Sequence, residues 1–273
     1  MLLFLSVIIT FLIMFFYFRP FDYIDIFYTL LVFICSLIVV CLLYVLYILI
    51  LNISVDKNKE YKKSSKFFQF VTANLCTRIL LFSNIKVKFY NFDKIPKDTR
   101  FLFVSNHKTA FDPIYYNYIL KYRDVAFISK PENFKIPFIS GLIHREFYLP
   151  IDRENDREAL KTIIKAINLC KNNICSIGLF PEGTRNKTDK ILLDFKAGGF
   201  KIAQKANIPI VISVIEEDFK HKVCFNPFKK SIVNIKVLDV IYPDNFNSLS
   251  TIDLSDKVRN IMLEELNKTQ KNQ

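Results

Sequence analysis

The sequence predicts an α/β domain with a largely parallel sheet flanked by helices, preceded by N-terminal transmembrane helices. Three observations carry this. Apolar residues pile up at the N-terminus in two uncharged runs. Short β-branched and aromatic runs then recur along the chain with helical stretches between them, and strand–helix alternation implies a parallel sheet. Finally, 273 residues hold one domain of ordinary size plus extra segments.

Residues 26–55 carry no charge and outrun the roughly 20 residues a helix needs to cross a bilayer core, so they predict a transmembrane helix. Residues 2–18 are also uncharged but sit at the short limit. No basic segment precedes them and no small-residue cleavage site follows, so they read as a second span or a re-entrant segment rather than a signal peptide. Lys57, Lys59, Lys62, Lys63 and Lys66 follow the second run, and by the positive-inside rule that stretch is cytoplasmic. These lysines either attract anionic headgroups or act as a topology signal alone. The expected division is a membrane anchor over 1–55, a basic linker and amphipathic helix over 56–83, and a domain on the cytoplasmic face of the cell membrane over 84–273.

Within the linker, residues 64–83 are apolar at helical spacing, suited to the membrane surface or to the core. IKVKFY (85–90) alternates like a strand. Residues 101–105, 125–129, 147–151, 174–180 and 208–215 read as buried strands, and 231–243 as a late strand at an edge. Helices are predicted over 111–121, 133–144, 154–171, 195–206 and 253–268, with residues 268–273 a frayed tail.

The net charge of +12 calls for a polyanionic partner, nucleic acid or an anionic membrane face. The apolar N-terminus favours the membrane. The basic residues are not interleaved with aromatics as in RNA-binding modules, so no nucleic acid is expected. Of the six cysteines, Cys35 and Cys41 fall in the second apolar run, Cys170 and Cys175 have a spacing unsuited to metal, and Cys76 and Cys224 are isolated. They read as unpaired thiols of a cytoplasmic protein, with no metal site.

Two short motifs carry chemistry. Asn106-His107-Lys108-Thr109-Ala110-Phe111-Asp112 follows a predicted strand directly. His107 therefore lies just past a strand's C-terminal end, where open α/β sheets place ligands. Asp112 can accept the Nδ1 proton of His107 and leave Nε2 as a base. No serine accompanies the pair, so an incoming alcohol would attack an acyl carbonyl directly. The plainer reading makes His107 a satisfied loop residue and Asp112, before Pro113, a helix N-cap.

The second motif, Phe180-Pro181-Glu182-Gly183-Thr184-Arg185, turns out of another predicted strand at Pro181 and Gly183. Arg185 offers a planar fork suited to phosphate. Glu182 can position backbone or substrate hydroxyls. Backbone N–H groups near Gly183 and Thr184 are candidates for binding a developing oxyanion.

Together these strings resemble the glycerolipid acyltransferase family, which carries NHxxxxD, an aliphatic-Asp-Arg segment, FPEGTR and a short apolar strand around a Pro. The counterparts here are Asn106–Asp112, Ile151-Asp152-Arg153, Phe180–Arg185 and the IPIV stretch at 208–211. Lys130, the KIPF stretch at 135–138, Gly141, Lys196 and Gly198 are also similar. The resemblance covers about residues 84–216. It implies His107 as general base with Asp112 as its partner, Arg185 on the acceptor phosphate with Lys130 and Arg153 as helpers, and Glu182, Gly183 and Thr184 shaping the acceptor site. It implies transfer of a fatty acyl group from acyl-CoA or acyl carrier protein to the free hydroxyl of 1-acyl-sn-glycerol 3-phosphate (lysophosphatidic acid), a membrane lipid, giving phosphatidic acid in phospholipid biosynthesis. No cofactor is implied beyond the donor. Another lysophospholipid, glycerol 3-phosphate or a lyso-lipid without phosphate is the alternative acceptor, and a non-catalytic membrane-tethered lipid-binding protein the alternative class. Three positions depart from the pattern: Asn186 where a small hydroxyl residue is common, Phe147 where a Gly is often seen, and Ile212 in place of a second Pro.

Overall fold

The computed structural model describes residues 2–17, 23–121, 123–217 and 228–271. Two helices come first, α1 (Leu2–Tyr17) and α2 (Tyr23–Ser54), packed together and joined by a hydrogen bond between the Thr10 and Ser36 hydroxyls. Among the described residues one helix is long and apolar enough to cross a membrane: Phe27–Ser54, 28 residues with a mean hydropathy of 3.1. It differs from a soluble core helix in that only 17% of its most apolar stretch is buried. With 16 residues α1 is about 24 Å long, short of the roughly 30 Å hydrocarbon core. Of the two spans expected, one helix of spanning length and a shorter partner stand among the described residues.

The domain that follows is a seven-stranded sheet of order β1-β7-β6-β2-β5-β3-β4. Its strands are β1 (Ile85–Tyr90), β2 (Leu102–Ser105), β3 (Val125–Ser129), β4 (Leu149–Pro150), β5 (Ser176–Leu179), β6 (Ile210–Glu217) and β7 (Ser231–Ile241). From β6 to β4 all neighbours are parallel; β7 runs antiparallel to β6, and β1 parallel to β7. The edge position expected for β7 belongs to β1. The polar–apolar alternation of β7 reflects one covered face rather than an edge: Val233, Ile235 and Val237 are fully buried while Ile232 is exposed. At the centre, β2 and β5 are buried along their whole length, as near-continuous apolar runs in parallel sheets are.

The helices are α3 (Lys66–Phe82), α4 (Asp112–Ile119), α5 (Ser140–Arg145), α6 (Asp156–Lys171), α7 (Lys201–Ala206) and α8 (Thr251–Lys271). Two expected helices are shorter than their patterns. Residues 133–144 split into a 3-10 turn (Pro131–Lys135) and α5, because Pro137 withholds a backbone donor between them. Residues 195–206 become a 3-10 turn (Ala197–Phe200) and α7, the turn containing two glycines. The tail expected to fray is helical to Lys271. Asn155 caps α6 by accepting from the Glu158 N–H at 3.2 Å.

Helix α3 packs Val71, Ala73, Cys76 and Leu80 inward and exposes Phe67, Phe70, Leu81 and Phe82. The linker is tied to the sheet by Asp124, which accepts from Ser64 Oγ at 2.7 Å, Lys66 Nζ at 2.9 Å and Gln69 Nε2 at 2.5 Å. Burial pushes this carboxyl up, but those hydrogen bonds outweigh it and hold the group at about 2. Cys76, Cys170 and Cys175 are free and buried, Cys35 and Cys41 free and exposed on α2, and Cys224 lies outside the described residues.

Candidate active site

Strands β2 and β5 are neighbours in parallel register, Val104 beside Leu179. Both motifs therefore leave the same end of the sheet side by side. Asn106 anchors the first motif: its Oδ1 accepts from Ile215 N at 2.8 Å and its Nδ2 donates to Ile215 O at 3.1 Å, so a side chain extends the β2–β6 pairing by one rung. This is a role that sequence reasoning did not assign.

His107 Nδ1 lies 2.7 Å from Asp112 Oδ2. Asp112 is fully buried at the first turn of α4 and also accepts from the backbone N–H groups of Lys108 (2.7 Å) and Thr109 (3.0 Å) and from Thr109 Oγ1 (2.6 Å). A carboxylate so surrounded by donors accepts a hydrogen bond from Nδ1–H, which fixes the tautomer with Nε2 as the acceptor nitrogen. Asp112 is not the N-cap of α4; Phe111 holds that position without a side-chain bond. The imidazole side chain is 16% exposed and stacks on Phe180, with centroids 4.4 Å apart and planes at 22°.

The second motif holds the first. Glu182 Oε1 accepts from His107 N at 2.6 Å, Oε2 accepts from Leu193 N at 2.9 Å, and Asn186 N donates to His107 O at 2.7 Å. Both Glu182 oxygens thus accept from backbone amides, so of the two expected roles, positioning backbone or substrate hydroxyls, the geometry displays the first. Burial raises the Glu182 carboxyl above its ordinary value, against the pull of these two donors. Gly183 has φ +72, a left-handed conformation that favours glycine. Its N–H donates to Phe180 O at 3.0 Å and is spent on the turn, so it is not a free oxyanion donor.

Beside this constellation opens a cavity of about 1010 Å³. Glu182, Gly183, Thr184, Lys130 and Arg153 line it, together with Lys196 and Lys201. Its apolar side is formed by Ile128, Ile151, Leu160, Ile163 and Leu179. His107 lies one ring beyond, behind Phe180, which is part of the lining. Arg185 is exposed and outside the lining, and makes no hydrogen bond or ion pair among the described residues. The cations in the lining are Lys130, Lys196, Lys201 and Arg153, and Arg185 directly follows Thr184 of the lining in the chain. Partial burial lowers Arg153 from its usual value, with Glu132 opposing. Lys201 carried no sequence signal because a lone lysine is ordinary on a surface. No group of three or more His, Cys, Asp or Glu side chains is placed to hold a metal among the described residues.

A family model described as acyltransferase matches residues 86–216, the stretch that holds every residue of this site. The chain is a member of that acyltransferase family. It is 29% identical over 173 residues to the 1-acyl-sn-glycerol-3-phosphate acyltransferase of Haemophilus influenzae, covering 62% of this chain and 71% of that one. To the enzyme of the same name from Escherichia coli it is 30% identical over 165 residues, 60% of this chain and 66% of that one. The crystal structure of the 1-acyl-sn-glycerophosphate acyltransferase PlsC from Thermotoga maritima superposes with a TM-score of 0.60 at 25% identity, over 74% of this chain and 79% of that one. This acyltransferase shares with PlsC a mixed sheet flanked by helices. The departure at Phe147 gains a physical meaning: its φ is +63, the left-handed region where a glycine sits without strain.

Proposed function

We propose that this acyltransferase moves a fatty acyl group from a thioester to the free hydroxyl of 1-acyl-sn-glycerol 3-phosphate, giving phosphatidic acid. The observation that carries the reading is the 2.7 Å contact of His107 Nδ1 with a buried Asp112 beside a cavity whose lining includes both cationic and apolar side chains. Relatives named for this reaction support the acceptor. Nε2 of His107 takes the proton of the acceptor hydroxyl, and the oxygen attacks the thioester carbonyl carbon. The tetrahedral adduct collapses with loss of the C–S bond, and the imidazolium returns its proton to the leaving thiolate. Asp112 keeps its hydrogen bond to Nδ1–H and stabilises the imidazolium between the two transfers. Lys130, Arg153 and Lys196 hold the acceptor phosphate with Arg185, and the apolar lining takes an acyl chain. Coenzyme A and acyl carrier protein both fit the donor role.

Helix α2 anchors the enzyme in the membrane where acceptor and product reside, with the lysines after it on the cytoplasmic face. The test is a donor-by-acceptor activity matrix on the purified protein and on Arg153→Ala and Arg185→Ala. Lysophosphatidic acid is expected as the favoured acceptor, its KM rising at least tenfold in Arg153→Ala, while a neutral lyso-lipid responds to neither change. Equal use of a neutral acceptor contradicts the reading.

A further inference from the structure

Residues 135–138, Lys-Ile-Pro-Phe, form an exposed turn ahead of α5. Phe134 and Ile139 on either side pack against the core, but Ile136 is 37% and Phe138 43% exposed. The turn thus presents two large apolar side chains and one cation outward, and the core uses neither of them.

Its place in the fold says what it meets. Just beyond Phe138, Ser140 Oγ accepts from Lys57 Nζ at 2.9 Å, and Gly141 N donates to Asn52 Oδ1 at 2.5 Å. Asn52 and Lys57 bracket the C-terminal end of α2. The approach is close enough to require glycine, since a Cβ at Gly141 would fall 2.4 Å from Asn52 O. Deeper along α2, Ile48 shares a buried cluster with Val71 and Leu142, so α3 and α5 pack on its last turns. At 28 residues the apolar segment is about 42 Å long against a hydrocarbon core of about 30 Å. The surplus of about 12 Å is two turns, the same turns that α3 and α5 grip. The domain is therefore held at headgroup level, and Phe138 is within a few residues of that grip. On its other side the turn continues into Lys130, Pro131 and Glu132, which line the cavity.

We propose that the 135–138 turn inserts Ile136 and Phe138 into the bilayer interface beside the cavity mouth, with Lys135 among the lipid phosphates, so that a lipid acceptor enters over this lip without crossing water. An aromatic and an aliphatic side chain flanked by a lysine is the composition that partitions to this depth. The proposal rests on the reading of α2 as an anchor and of the acceptor as a membrane lipid.

The chain contains no tryptophan, so Phe138→Trp introduces a single reporter. Reconstituted in vesicles of phosphatidylcholine and phosphatidylglycerol, Trp emission at this site is expected to be blue-shifted relative to detergent-free solution peptides, quenched by lipids brominated near the top of the acyl chain, and shielded from acrylamide. Emission at the aqueous maximum, quenched by acrylamide and not by bromolipid, overturns the proposal. The second measurement is Ile136→Ser/Phe138→Ser, for which the ratio of transfer to vesicle-borne over water-soluble short-chain acceptor falls at least tenfold; an unchanged ratio also overturns it. The fluorescence result does not require turnover and can be read in His107→Ala. Insertion without any acyl transfer leaves the lip standing and removes the proposed reaction, whereas transfer with an aqueous Trp removes the lip alone.

Discussion

The backbone N–H of His107 donates to Glu182 Oε1 at 2.6 Å, which makes the second motif the support on which the first one stands. The same carboxylate reaches Leu193 N, so Glu182 joins three chain segments at one buried point. Replacing it with glutamine turns one acceptor into an amide donor facing a backbone N–H. Such a mismatch shifts the imidazole, and small misplacements of a catalytic group cost roughly 100-fold. Glu182→Gln is therefore expected to lower kcat by roughly 10- to 100-fold with acceptor KM changed by less than about threefold. Steady-state kinetics checks this; a KM effect with kcat intact would mean that Glu182 binds substrate.

Direct attack by the acceptor has its own signature. No serine or cysteine hydroxyl or thiol bonds to His107 among the described residues, and its hydrogen-bonded partner is Asp112. Incubation with acyl thioester in the absence of acceptor is expected to leave the intact mass unchanged. An adduct of one acyl mass, lost on adding lysophosphatidic acid, contradicts the mechanism.

Phe147 offers a stability test independent of activity. At φ +63 a Cβ is strained, at a cost of roughly 1–2 kcal/mol. Phe147→Ala keeps that strain and loses the ring's packing, while Phe147→Gly loses the packing and relieves the strain. The glycine variant is expected to be more stable than the alanine variant by about 1 kcal/mol, the reverse of the order at ordinary positions. Denaturant melts of the two variants decide it.

Glu146, next in the chain, is buried beneath α3 with Oε1 lacking a hydrogen-bond partner, and burial pushes its carboxyl up to about 8. The folded state then holds a proton that the unfolded chain releases near its ordinary value. The unfolded state binds fewer protons between the two values, so stability falls as pH rises through that window, by up to about 1.4 kcal/mol per pH unit, and levels off above about pH 8. Glu146→Gln is expected to flatten this slope and to raise Tm at pH 8. Thermal melts from pH 5 to 8.5 check it; an unchanged slope would mean that the carboxylate is accommodated ionised.

Much of this architecture was legible from local patterns. The buried strands β2, β5 and β6 are short apolar runs bounded by turn residues, and the uncharged run after Asp25 gave α2. The position of β7 was not legible, because alternation reports one covered face and not which neighbours a strand pairs with. The His107–Asp112 pair lies within one turn of chain and could be read from spacing. Contacts between motifs were hidden: the bonds of Glu182 to His107 N and Leu193 N depend on the sheet order that brings β2 beside β5. Arg185 was legible as a phosphate ligand by type, whereas Lys130, Arg153, Lys196 and Lys201 meet at the cavity from three separate chain segments, which no local pattern reveals.

The central claim is that the Asp112-oriented imidazole of His107 deprotonates the acceptor hydroxyl. Its most direct test is the rate of acyl transfer from thioester to lysophosphatidic acid by purified, folded His107→Ala. General-base catalysis contributes about 100- to 10,000-fold, so turnover is expected to fall by at least about 1,000-fold with acceptor binding retained. Turnover within about tenfold of the parent enzyme would contradict the account.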